Sequence, residues 1–278
     1  MLYLKGPTGL KLLHVTLQRI DGKVRCLDVG CGTGWWAQRL AGFNPAYEVT
    51  GFDIVGHQPS LGPGREPNAD FIAPVDFMSD NWGVGTFPVV HAGLMCGSVP
   101  DWLKFYQNVF RHVTSGGQAE FVEIDWQPRC DVPNPSVQDR AAFREWWTNM
   151  LEATRQQGKP IEYRQDTGAL LTQAGFTGIQ HEESRIQTVA PWQDHAARDV
   201  AEAFQVAMGD AASRPWSGFS MELFTRFRGY TPADVDYLDS RLVEAVNRSG
   251  SPFYFVKHVW TARKPATQRP LTQVRPFV

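Results

Sequence analysis

The sequence predicts an α/β fold: an open, mostly parallel sheet with helices on both faces. Three observations predict it. Short apolar segments alternate with helical ones over the first half of the chain, as in successive β-α-β units. The first apolar segment of "VRCLDVGCGTGWWAQRL" runs into a glycine-rich turn and then a helix. Near the end, "PFYFVKHVWTARKP" is rich in Val, Phe and Tyr and bounded by prolines, which marks a last strand after a long helical stretch.

The elements follow in order. Residues 8–20 carry Leu10, Leu13, Leu17 and Ile20 along one side, which predicts a leading helix. "VRCLDVG" is the first strand, and "GWWAQRLAGF" the helix that it feeds. "YEVTGFDIV" is the second strand, "ADFIAPVDF" a third that ends near Asp76, and "TFPVVHAGL" the fourth. In "DWLKFYQNVFRHVTSGG", Trp102, Phe105, Tyr106, Val109, Phe110 and Val113 fall at three- and four-residue spacing. That is a helix, and Gly116-Gly117 is expected to stop it. "QAEFVEIDW" is the fifth strand, and "CDVPNPSVQ" a proline-rich loop. Helices are expected at 139–157 and 165–174, a strand in "GFTGIQHEESRIQTV", and a helical block over 192–248. In that block Thr231 is placed as a cap, with Pro232 in the first turn.

Composition bounds the function. With 278 residues, 42% hydrophobic and 20% charged, the chain suits a packed globular fold. We expect one domain over 1–265, with a helical cap over about 190–250, and a loose tail over 266–278. The net charge is −2 and no run of Lys or Arg occurs, which argues against nucleic acid and anionic membranes as partners. No apolar run has the length of a membrane span, and the first residues lack the apolar centre of a secretory leader. The expectation is a soluble, cytoplasmic protein. Cys26, Cys31, Cys96 and Cys130 form no C-x-x-C pair, so neither zinc nor a disulfide framework is expected.

The glycine turn carries the chemistry. A phosphate-binding P-loop needs Lys-Ser/Thr after its last glycine, where Trp35-Trp36 stands. A dinucleotide fingerprint needs glycine at position 35. Asp28 beside the turn would repel a pyrophosphate and suits an ammonium group. Asp53 ends the second strand, where an acid accepts from ribose hydroxyls. Asp76 ends the third and suits an adenine amino group. Ammonium, ribose and adenine without phosphate describe S-adenosylmethionine.

"LDVGCGTG" is similar to the first motif of class I S-adenosylmethionine-dependent methyltransferases. "VVHAGLMCGSVPDW", "VFRHVTSGGQAEFVEIDWQPRCD" and "LLTQAGFTGIQHEE" resemble the LaeA-like (UMTA-type) methyltransferases of fungal secondary metabolism. The resemblance covers about residues 24–265. It implies a Rossmann-like fold with a seven-stranded, mostly parallel sheet and a helical insertion before the last strand. It implies that Gly30, Cys31, Gly32 and Gly34 cradle the methionine part, and that Asp28 meets its amino group. Asp53 and Ile54 would take the ribose, Asp76 and Phe77 the adenine, and Gly93 would pass beneath. S-adenosylhomocysteine would be the product.

The acceptor is expected to be a small molecule methylated on oxygen or nitrogen. Glu123 and Asp125, at the end of the fifth strand, are the candidates for a base or an orienting group, weighed against structural hydrogen bonding to nearby loops, which is slightly favoured. His91 reads as a core histidine. Trp126, Trp192, Phe204, Trp216 and Phe219 are candidates to line the acceptor pocket as a group, while core packing is the favoured reading for any single one. Two further functions stay open: a LaeA-like regulator of secondary metabolism that binds the cofactor, and a cofactor-binding cyclase that transfers no methyl group. A nuclear location is allowed for a regulator. The oligomeric state stays open, with a homodimer allowed.

Overall fold

The computed structural model describes residues 13–15, 22–56, 58, 64–133, 135–188, 195–248 and 252–267, with the backbone alone for 195–197. Seven strands form one sheet: β1 (Val24–Val29), β2 (Tyr47–Phe52), β3 (Ala69–Ile72), β4 (Phe87–Gly93), β5 (Val113–Cys130), β6 (Thr177–Gln187) and β7 (Phe253–Arg263). Their order is β3-β2-β1-β4-β5-β7-β6. The first five run parallel, and β7 lies antiparallel between β5 and β6. The order reverses between β1 and β4, which opens a crevice at the strands' carboxyl ends.

Alternation along β1 divides the sheet faces. Leu27 and Val29 join a core with Phe105 and Val109 of helix α2 (Trp102–His112). Cys26 packs with Ala37 and Leu40 of helix α1 (Trp35–Ala41) on the other face. Val89 of β4 belongs to this second cluster. Period two therefore turns Asp28 and His91 toward the α1 face.

Helices α3 (Val137–Gln156) and α4 (Thr167–Gln173) separate β5 from β6. The helical insertion before β7 is α5 (His195–Met208), α6 (Pro215–Phe227) and α7 (Pro232–Asn247). These helices pack with α3 around Trp146, Trp216, Phe224, Leu242 and Phe255. Thr231 caps α7: its hydroxyl accepts from the Asp234 N–H at 3.2 Å, and Asp234 answers at 2.9 Å, a complete capping box. No helix of the described residues is long and apolar enough to cross a membrane.

Several boundaries differ from expectation. Of the leading helix only Leu13–Val15 is described, and that stretch is not helical. The third strand stops at Ile72, since Pro74 has no N–H for the ladder. Asp76 therefore sits in a turn, where its side chain accepts from the Met78 N–H at 2.8 Å. Helix α2 ends at His112 rather than at the glycines, because Val113 enters β5 directly and pairs with Phe87. β5 continues past Trp126 to Cys130, with a register break between Asp125 and Arg129 that accommodates Pro128. Of the tail, residues 268–278 lie outside the described residues.

Candidate functional site

Gly30, Gly32 and Gly34 between β1 and α1 have φ of 65°, 55° and 78°, a left-handed conformation that glycine adopts without penalty. A Cβ on Gly30 would lie 2.7 Å from the Met95 sulfur, and one on Gly34 would lie 2.5 Å from the Phe71 ring. Asp53 fixes the turn from β2. One of its oxygens accepts from the Gly32 N–H at 2.9 Å and the other from the Val55 N–H at 3.1 Å. Each oxygen keeps a lone pair for a hydroxyl.

Two cavities share Gly30, Gly32 and Leu94. The first, of about 540 Å³, is lined by Asp28, Cys31, Trp36, His91 and Gly93 together with Val122, Ile124, Ile186, Val200 and Lys257. The second, of about 480 Å³, is lined by Asp53, Ile54, Asp76, Phe77, Met78 and Lys159. Of the residues expected to hold a cofactor, all but Gly34 line one or both cavities. Gly34 lies just behind, as the left-handed N-cap of α1.

Asp28 is buried, and its Oδ2 has no hydrogen-bond partner. Burial pushes its acid up to about 7; the His91 charge opposes this and the Asp53 charge adds to it. A buried acceptor without a partner, at the end of a glycine turn, fits a ligand that brings an ammonium group. The residues present therefore fit S-adenosylmethionine.

The expected catalytic acids point elsewhere. Along β5, Val122 and Ile124 face the first cavity, so Glu123 and Asp125 face the opposite side of the sheet. Glu123 accepts from the Met95 N–H at 2.8 Å and the Cys96 N–H at 3.1 Å. Burial pushes its acid up to about 7 against those two amides. Asp125 accepts from Arg129 at 2.6 Å and from the Gln127 N–H at 3.1 Å. These contacts fit a structural role for both acids. Glu123→Ala is accordingly expected to cost roughly 2–4 kcal/mol of stability, because two amides lose their acceptor. Urea unfolding checks it, and an unchanged midpoint would contradict it.

The aromatic candidates also fall outside the cavity walls. Trp126, Phe204 and Trp216 are buried in the insertion core. Phe219 is more exposed and stacks at a tilt on Trp126, 5.1 Å between centroids. Trp192 lies outside the described residues. Trp36, Lys257 and His14 line the first cavity, and Glu120 is bonded to His91 of that lining; the sequence reading assigned none of these four to the site. The alternation of β5 could have signalled Glu120, which shares a face with Val122 and Ile124.

One group of metal-ligating residues occurs among the described residues, His181, Glu183 and His258. The two imidazoles are near-coplanar at 11°, with His181 Nε2 3.0 Å from His258 Nδ1. Their centroids are 5.2 Å apart, so the rings meet edge to edge. The nitrogens point at each other rather than converging on an ion.

The strand order with its antiparallel β7, and a glycine turn flanked by acids instead of phosphate-binding cations, define a class I methyltransferase. S-adenosylmethionine is the cofactor of that class. A family profile described as "Methyltransferase domain" matches residues 9–181. The chain is 34% identical to the secondary metabolism regulator laeA of Aspergillus flavus, over 87% of this chain and 63% of that one. It is 33% identical to the protein-methionine methyltransferase laeA of Emericella nidulans, over 87% and 62%. It is 32% identical to the secondary metabolism regulator LAE1 of Cochliobolus heterostrophus, over 87% and 76%. The chain thus spans less than two thirds of the length of the first two. Among solved structures, a Haemonchus contortus phosphoethanolamine N-methyltransferase shares the fold, with TM-score 0.51, 15% identity, and 90% of this chain and 50% of that one covered. The chain belongs to the LaeA-like family of S-adenosylmethionine-dependent methyltransferases.

Proposed function

We propose that the chain transfers the methyl group of S-adenosylmethionine to an oxygen or nitrogen of a small-molecule acceptor. The observation that carries this is the first cavity, which Asp28 and the glycine turn line together with Val122, Ile124, Ile186, Val200 and one lysine. An organic molecule held against Ile124, Ile186 and Val200 would lie beside the glycine turn. The bound cofactor supplies an activated methyl carbon. The chain's part is to hold the acceptor in line with it, which can account for a large share of the rate.

In this reading Asp28 accepts from the ammonium, Asp53 from the ribose hydroxyls, and Asp76 with Phe77 holds the adenine. Ile186 and Val200 bring acceptor selection from β6 and the helical insertion. A structure with an acceptor touching only the first 130 residues would count against that assignment. The names of the relatives favour a second reading, a regulator of secondary metabolism or a methyltransferase that acts on protein methionine. Methyl-labelled S-adenosylmethionine separates them. Incubated with the chain and fungal extract, it is expected to label the small-molecule fraction. Label in protein bands alone would support the second reading. Cofactor binding without any label would favour a cyclase.

Asp28 gives the cofactor site a pH dependence. Its acid, raised by burial to about 7, must ionise to pair with an ammonium. Affinity for S-adenosylhomocysteine therefore rises with pH up to about 7 and then levels, with proton release below that point. The same shift makes the free protein bind more protons folded than unfolded between the ordinary carboxylate range and 7. The unliganded fold accordingly loses stability as pH rises through that window. Asp28→Asn is expected to flatten the binding profile and to weaken binding about tenfold at pH 8. Calorimetry at pH 6 and pH 8 checks it, and an equally steep profile in the variant would contradict it.

A further inference from the structure

Three adjacent strands place polar residues in one row across the sheet. β1 and β4 pair Asp28 with His91, and β4 and β5 pair His91 with Glu120. All three are buried on the α1 face. One oxygen of Glu120 accepts from His91 Nδ1 at 2.9 Å. The other accepts from the His14 backbone N–H and, at 3.1 Å, from His14 Nδ1. Burial raises the Glu120 acid, but the hydrogen bonds from His14 and His91 outweigh it and hold it down to about 2. Glu120 is therefore ionised.

An ionised carboxylate has no proton to donate. The proton between it and His91 thus belongs to Nδ1, so in the neutral imidazole the lone pair is on Nε2. That nitrogen lies 3.1 Å from where a Cβ on Gly93 would sit. A side chain there would cover it, and glycine leaves it open. His91 and Gly93 both line the first cavity. The Trp36 ring stacks on the imidazole at 3.9 Å and 3°, which fixes the ring plane. The arrangement is an oriented base: carboxylate on one nitrogen, lone pair on the other.

We propose that His91 is the base that takes the proton of a protic acceptor, a hydroxyl or N–H, with Glu120 as its positioning residue. This rests on the methyltransferase reading above and names the acceptor class. The acceptor's lone pair forms the bond to the methyl carbon. The bond from that carbon to sulfur breaks, and sulfur keeps the pair. The acceptor's proton passes to Nε2. One positive charge leaves the sulfonium and one arises on the imidazolium, beside Glu120. Solvent then takes the proton. A thioether has no proton to give and would leave the pair idle.

The test uses the full chain with ¹⁵N-labelled histidine, and His91→Gln to assign the His91 signals. The expected spectrum has Nδ1 protonated and Nε2 bare, and S-adenosylhomocysteine shifts the Nε2 resonance. Glu120→Gln removes the preference for Nδ1–H. Protonated Nε2, or His91 signals unmoved while calorimetry records binding, overturns the proposal. Absence of binding by folded wild-type protein instead overturns the methyltransferase reading. Two probes then test the acceptor class with methyl-labelled S-adenosylmethionine, 4-nitrophenol and N-acetylmethionine amide. Transfer to the phenol is expected to fall about a hundredfold or more in His91→Gln, a larger loss than the change in S-adenosylhomocysteine affinity that calorimetry reads on the same variant. Transfer to the thioether alone overturns the protic class. Where both probes stay unlabelled, the nitrogen spectra decide.

Discussion

Asp53→Ala is expected to weaken S-adenosylhomocysteine binding by about a hundredfold or more. Two losses add. The Gly32 and Val55 amides lose the acceptor that holds the turn, at 2.9 and 3.1 Å. The ribose hydroxyls lose the same carboxylate. A hydrogen bond to a charged group contributes about 1.5–3 kcal/mol, so two such losses exceed two powers of ten in affinity. The fold should survive, since Asp53 lies beyond the end of β2 and is only half-buried. Asp53→Asn keeps one carbonyl oxygen and should fall between the two. Calorimetry reads the change, and wild-type affinity in the alanine variant would refute the ribose assignment.

Trp146→Ala is expected to cost about 3–5 kcal/mol of stability, the range for truncating a buried large aromatic. Trp146 is 1% exposed and stands at the centre of the insertion core. Its ring meets Trp216 edge-on at 4.9 Å. Its Nε1–H donates to the Ser220 hydroxyl at 2.9 Å. Truncation leaves a cavity and removes that donor. Of the buried residues of this core only Ile186 lines the first cavity, with Ile124 and Val200 packed against the core's edge, and Trp146 is not among the lining residues. Variant protein that is still folded should therefore bind S-adenosylhomocysteine within about threefold of wild type. A small change in the unfolding midpoint would contradict the core role, and lost binding by folded variant would restore Trp146 to the site.

Strand and helix patterning made the sheet readable, because alternation and the glycine turn are local signals. The cofactor side of the site was equally local. Asp28, Gly30 and Gly32 lie on one turn, and Asp53 follows at the end of the next strand. The proposed acceptor side was not local. Glu123 and Glu120 sit three residues apart on one strand, so they face opposite sides. Which side holds the cavity depends on how β4, β5 and β7 pair. His91 read as a core histidine, and it is buried and bonded to Glu120, a partner 29 positions away that local spacing does not show. The tryptophans read as a pocket because composition alone does not separate a cap's own core from a ligand wall. Packing against α3 and β7 decides that, through contacts such as Trp126 with Phe255 at 5.5 Å.

The central claim is a cofactor cleft that takes an ammonium at Asp28 and a ribose at Asp53. Calorimetry of S-adenosylhomocysteine against the full chain at pH 8, where Asp28 is ionised, tests it most directly. The account predicts binding at one site per chain, lost about a hundredfold in Asp53→Ala and weaker at pH 6. No heat of binding from folded protein at either pH would contradict it.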